Sequence, residues 1–125
     1  MPVHLDSSPT PPSLFTSHKT TSRAHYLAAR SRAGLASYDS EVLLWNPAGD
    51  VTEGSITNVA FWRAGRWVTP RLDSGGLGGV MRRWLLEQGA WSEGTVRKDD
   101  VRSGERVLLS NALRGVVVGE VVGIA

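Results

Sequence analysis

Apolar runs broken by glycine and proline define the order of elements along this chain. Thr20 to Ala33 reads as a first helix: Thr20, Thr21 and Ser22 are suited to its N-cap, Ala24, Leu27 and Ala28 repeat at helical spacing, and Gly34 ends it. Glu41–Asn46 is a short β-forming run and reads as a buried strand. Asn46-Pro47-Ala48-Gly49-Asp50 has turn chemistry, and Val51–Gly54 returns as a second strand. Thr57–Trp62 is a third strand, joined through Arg63-Ala64-Gly65-Arg66 to Trp67–Pro70 as a hairpin with glycine near its tip. A glycine-rich loop, Leu72–Val80, opens directly into a helix ending near Gln88, with Val80, Met81, Trp84 and Leu85 on one side and Arg82, Arg83 and Glu87 on the other. Residues 90–104 read as polar connection. Arg106–Ser110 is a strand, Asn111–Gly115 a turn, and Val116–Val122 one or two closing strands.

The expected fold class is α+β: a strand-rich, mixed and largely antiparallel sheet with two main helices. The length of 125 residues fits one domain with a real core. Residues 1–16 carry four prolines and few apolar positions, so a disordered Pro/Ser-rich lead-in is expected there, with the folded domain over 17–125.

Charge and composition narrow the function classes. The net charge is +2 and no basic run is interleaved with aromatics, which argues against nucleic acid. There is no cysteine, which excludes disulfides and thiolate metal sites, and no metal is expected. No apolar run approaches the ~20 residues that span a bilayer, and the first residues lack the apolar region of a signal peptide. The cytoplasm is the default location.

Four places could carry chemistry. Lys19 is one of two lysines against twelve arginines. A lysine, unlike an arginine, becomes an amine nucleophile when deprotonated, and a position at a helix start lowers its pKa. On this segment alone a surface helix-start lysine is the plainer reading. Four glycines in the five positions 75–79 (Gly75, Gly76, Gly78 and Gly79) precede a helix and so offer N–H groups to an anion, or form a plain connection. Glu53 is the sole acid between Val51 and Trp62; it is either turned inward for a purpose or solvent-facing. Asn111, beside Ser110, closes a strand and also reads as a simple turn residue. An amine, an acid and an anion cradle are the parts that pyridoxal phosphate requires: a lysine for its Schiff base, an acid for its ring nitrogen and a site for its phosphate.

The segments His18-Lys19-Thr20-Thr21-Ser22-Arg23, Val51–Phe61 with its Glu53-Gly54 pair, Leu77-Gly78-Gly79-Val80-Met81-Arg82 and Leu109–Gly115 together resemble the class IV aminotransferases, fold-type-IV pyridoxal-phosphate enzymes. The resemblance covers about Phe15 to Val122. It implies that Lys19 binds the cofactor and carries the proton, and that Glu53 pairs with the ring nitrogen. It also implies that Gly79 and the backbone N–H groups of Val80 and Met81 hold the phosphate with Ser110 or Asn111, and that Arg23 lies near the phosphate or the substrate acid. The Ser110–Gly115 turn and the His-Lys pair look more like the aminodeoxychorismate lyase branch, which cleaves 4-amino-4-deoxychorismate to 4-aminobenzoate and pyruvate on the way to folate. An amino acid transaminase is the neighbouring reading. By this resemblance the chain holds the family's C-terminal cofactor-binding domain without its N-terminal domain. A small amino substrate is implied, and an uncovered interdomain face would favour a homodimer or a separate N-terminal-domain partner. The alternative is a non-catalytic remnant or interaction domain of the family.

Overall fold

The computed structural model describes residues 1–11, 24–35 and 37–124. Eight strands form one mixed sheet: β1 (Pro2–Leu5), β2 (Glu41–Trp45), β3 (Val51–Gly54), β4 (Asn58–Arg63), β5 (Arg66–Pro70), β6 (Ser92–Gly94), β7 (Arg106–Asn111) and β8 (Gly115–Ile124). Among the described residues two α-helices, α1 (Ala24–Arg32) and α2 (Val80–Glu87), join the sheet in the expected α+β architecture. The strand order is β3-β2-β1-β8-β7-β4-β5-β6. Four of the seven pairings are antiparallel, while β1 runs parallel to both its neighbours and β6 runs parallel to β5.

The sheet curls until its two edges meet. Val51 N–H donates to Val96 O at 2.8 Å, and an isolated bridge joins Asp50 to Arg97 just beyond β6. Because side chains alternate across a strand, every second residue points into the enclosed space. Val3, Leu43, Val59, Phe61, Val107, Leu109 and Val121 fill it and are buried. The intervening residues point outward to the helices. Val42 and Leu44 meet Tyr26 and Ala29 of α1, while Ala60 and Leu108 meet Leu85 and Met81 of α2.

Several expectations are corrected. The lead-in expected to be disordered over 1–16 begins with a central strand: Val3 and Leu5 are buried, and β1 lies between β2 and β8. Its proline stands at the first strand position, where a missing N–H costs least. The chain beyond β1 is also tied down, because Arg32 Nε and Nη2 grip the two oxygens of buried Asp6, each at 2.7 Å.

Helix α1 buries Tyr26, Ala29 and Arg30, while Leu27 is 59% exposed, so the stripe at the same spacing but two positions on faces the sheet. Arg30 tolerates burial because its guanidinium donates to Ser55 Oγ (2.8 Å), Ser37 O and Ser40 O (3.2 Å). On α2, Arg82 and Leu85 are buried and Val80 and Trp84 exposed, because Arg82 finds Glu93 at 2.6 Å and Pro70 O at 3.0 Å. The segment 90–104, read as polar connection, contributes β6 and the buried Trp91 and Val96.

The predicted β4–β5 hairpin is present. Ala64 and Gly65 both take positive φ (53° and 78°), as the tightest hairpin turn requires, and Trp62 meets Trp67 edge-on at 5.2 Å.

Candidate active site

Sheet register brings the polar residues of the outer face together. Glu53 is paired with Leu44 and Asn58 with Ser110, and Leu44 points out towards α1, so Glu53 shares that face. The neighbouring core residues Val59 and Leu109 point inward, so Asn58 and Ser110 point outward by alternation. A pocket of about 260 Å³ opens here, lined by Tyr26 of α1, Glu53, Ser55 and Asn58 along the β3–β4 connection, Gly79 and Val80 at the start of α2, and Ser110–Ala112.

At one end of the pocket stands Glu53, 5% exposed. The Tyr26 hydroxyl donates to its Oε2 at 2.9 Å, and Leu77 N–H to its Oε1 at 3.3 Å. Burial pushes its carboxyl up to about 8; the Tyr26 and Leu77 hydrogen bonds pull the other way, and the nearby Glu41 carboxylate raises it further. An acid held near neutrality in this way returns to its charged form when a cation is placed against it.

The other end is built to receive an anion. Asn58 Nδ2 donates to Leu77 O at 2.8 Å, and Gly79 N–H donates to Asn58 Oδ1 at 3.2 Å, so one side chain fixes the glycine-rich loop. A Cβ at Gly79 would stand 2.6 Å from that oxygen. No side chain caps the N-terminus of α2, which leaves its first N–H groups and its positive dipole end open. Ser110 Oγ, in a residue 1% exposed, has no hydrogen-bond partner among the described residues. A buried hydroxyl without a partner is costly unless a ligand supplies one. Asn111 Nδ2 donates to Ile56 O at 3.1 Å and its Oδ1 accepts from Arg114 N–H at 2.7 Å, holding the turn in place.

Of the residues singled out in the sequence, Glu53, Gly79, Val80, Ser110 and Asn111 line this one pocket. Met81 lies beside it, lining an apolar depression with Val80, Trp84 and Ala112. Lys19 and Arg23 lie outside the described residues. Tyr26, Glu41 and Asn58 carry no strong local signal in the sequence. Each acts through a partner distant in sequence, though the Asn58-to-Gly79 spacing is visible in the strand–loop–helix order.

The family model for class IV amino-transferases matches residues 2–119. The chain belongs to that family. A Schizosaccharomyces pombe protein provisionally named aminodeoxychorismate lyase is 46% identical over 110 residues, covering 84% of this chain and 47% of that protein. Aminodeoxychorismate lyase of Saccharomyces cerevisiae is 39% identical over 136 residues, covering 95% of this chain and 36% of that protein. A solved structure from Mesorhizobium loti, provisionally named an amino-acid aminotransferase, aligns with a TM-score of 0.81 at 36% identity, over 97% of this chain and 59% of that one. The chain thus spans about half the length, or less, of the curated relatives it matches.

Proposed function

We propose that this chain is the cofactor-binding part of a pyridoxal-phosphate enzyme of the aminodeoxychorismate lyase type. The observation that carries the reading is one pocket with a buried acid at one end and an uncapped helix start beside an unpartnered hydroxyl at the other. These two ends fit the two charged ends of pyridoxal phosphate. Bound there, the cofactor supplies an electron sink that acidifies the substrate proton.

The chain's residues take distinct parts. Glu53, steered by Tyr26, meets the ring nitrogen and keeps it protonated. Ser110, with the first N–H groups of Val80 and Met81, takes the phosphate. Gly79 leaves room for it and Asn111 secures the turn alongside. Lys19 supplies the amine that binds the cofactor and moves the substrate proton, and Arg23 serves the phosphate or the substrate acid.

Lyase chemistry on 4-amino-4-deoxychorismate is favoured over transamination by the names of the two curated relatives. Work in the cytoplasm belongs to this reading; among the described residues no helix is long and apolar enough to cross a membrane. A second reading keeps the same pocket but has turnover depend on a homodimer mate or a separate N-terminal-domain partner.

The test is an absorbance titration of the purified chain with pyridoxal phosphate beside Lys19→Ala. A band near the visible edge that survives dialysis and is lost in the variant is expected. A band that Lys19→Ala leaves unchanged, or no band, sinks the cofactor assignment. Assays with 4-amino-4-deoxychorismate and with amino acids then separate lyase from transaminase.

A further inference from the structure

Glu41 opens β2 with no exposure at all and does not line the pocket, yet it is the most heavily hydrogen-bonded carboxylate among the described residues. Its Oε1 accepts from Val42 N–H (2.8 Å), Ser55 N–H (2.8 Å) and Ser55 Oγ (2.6 Å). Its Oε2 accepts from Thr57 Oγ1 (2.7 Å) and Ile56 N–H (3.2 Å). Arg30 Nη1 stands 3.8 Å behind it and donates to the same Ser55 hydroxyl at 2.8 Å. Four of the five donors come from one short stretch, Ser55–Thr57, which joins β3 to β4.

That stretch has the acid of the site at one end and the loop-fixing amide at the other. Glu53 precedes Gly54, and Asn58 follows Thr57. With Ser55 and Ile56 N–H groups turned to Glu41, the opposite edge of the turn is presented to the pocket, where Ile56 O receives Asn111 Nδ2. The approach is close: a Cβ at Gly54 would stand 2.5 Å from Glu41 Oε2.

We propose that Glu41 is a positioning residue of the cofactor site: its buried carboxylate fixes the Gly54–Thr57 turn and so sets the separation of Glu53 from Asn58 and the helix start. The inference rests on the cofactor reading above. It assigns to Glu41 no contact with cofactor or substrate.

Glu41→Gln tests it, because the amide keeps the shape but turns a donor towards Ile56 N–H. Three quantities are read on the full chain: the melting temperature without cofactor, the dissociation constant for pyridoxal phosphate with the position of its bound band, and amide exchange at Ser55 and Ile56. The expected result is a folded variant whose affinity falls on the order of ten-fold, as for other outer supports of a bound group. Its bound band shifts, and the two amides exchange faster while those of β4 and β7 keep their protection.

Unchanged affinity and band in a folded variant would overturn the proposal while leaving the cofactor reading intact. No Lys19-dependent band in the unsubstituted chain would overturn both. If Glu41→Gln fails to fold, Thr57→Val decides: it removes one hydroxyl from Oε2, and a loss of a few-fold in affinity supports the proposal while none refutes it.

Discussion

Glu41 and Glu53 lie on the paired strands β2 and β3, both buried, and are surrounded very differently. Glu41 takes five hydrogen bonds with an arginine behind it. Glu53 takes two, one of them long, has no ion-pair partner among the described residues, and borders an open pocket. A saturated carboxylate is bound to its surroundings and serves to hold them. An undersupplied one beside a cavity is poised for something that arrives. The two acids differ in residue type not at all, so the distinction rests on their donors.

The largest effect expected from this contrast is on Glu41→Ala. Removing the carboxylate leaves three N–H groups, two hydroxyls and a buried guanidinium facing a void, and should destabilise by about 3–5 kcal/mol in urea denaturation. A loss no larger than that of an exposed substitution would erase the distinction.

Glu53→Gln should act in the opposite sense at high pH. The folded state holds the Glu53 proton with a pKa of about 8 against 4.5 ordinarily. The stability it lends is therefore full below pH 4.5 and declines as pH rises through about 8. The cofactor-free protein should lose stability across that window. Glu53→Gln should flatten the profile, gaining on the order of 1–3 kcal/mol at pH 9 while weakening pyridoxal phosphate binding. Denaturation midpoints from pH 4 to 9 would show whether the two profiles part.

Gly79→Ala drives a Cβ to 2.6 Å from Asn58 Oδ1. A cost of about 1–3 kcal/mol is expected, together with a loosened helix start and weaker phosphate binding. Ser110→Ala should do least to the fold, within about 0.5 kcal/mol, because its hydroxyl has no partner to lose. Its signature is a several-fold loss of cofactor affinity at unchanged melting temperature.

The pocket was more legible in the sequence than the surfaces around it. Glu53, Gly79, Ser110 and Asn111 stand in short motifs whose turn and loop chemistry can be read locally. The strand over Pro2–Leu5 could not be, because its partners are Glu41–Leu43 and Glu120–Ile124, and two apolar positions make no pattern. The buried face of α1 was misplaced because Ala24, Leu27 and Ala28 look as apolar as Tyr26 and Ala29. Ser37, Ser40, Glu41 and Ser55, all beyond the helix, make Arg30 an inside residue. The same holds for Arg82, whose partner Glu93 belongs to a strand too short to show periodicity.

The place of β1 has a kinetic consequence. Met1 and Val118 are joined across 117 residues, and β1 fills the slot between β2 and β8. Closing so long a loop gains nothing from local contacts, so this strand is expected to insert late and slowly. Until it does, β2 and β8 present bare edges that a β1 from another molecule fits equally well. Refolding at high concentration should therefore yield strand-exchanged dimers, and refolding at high dilution monomers.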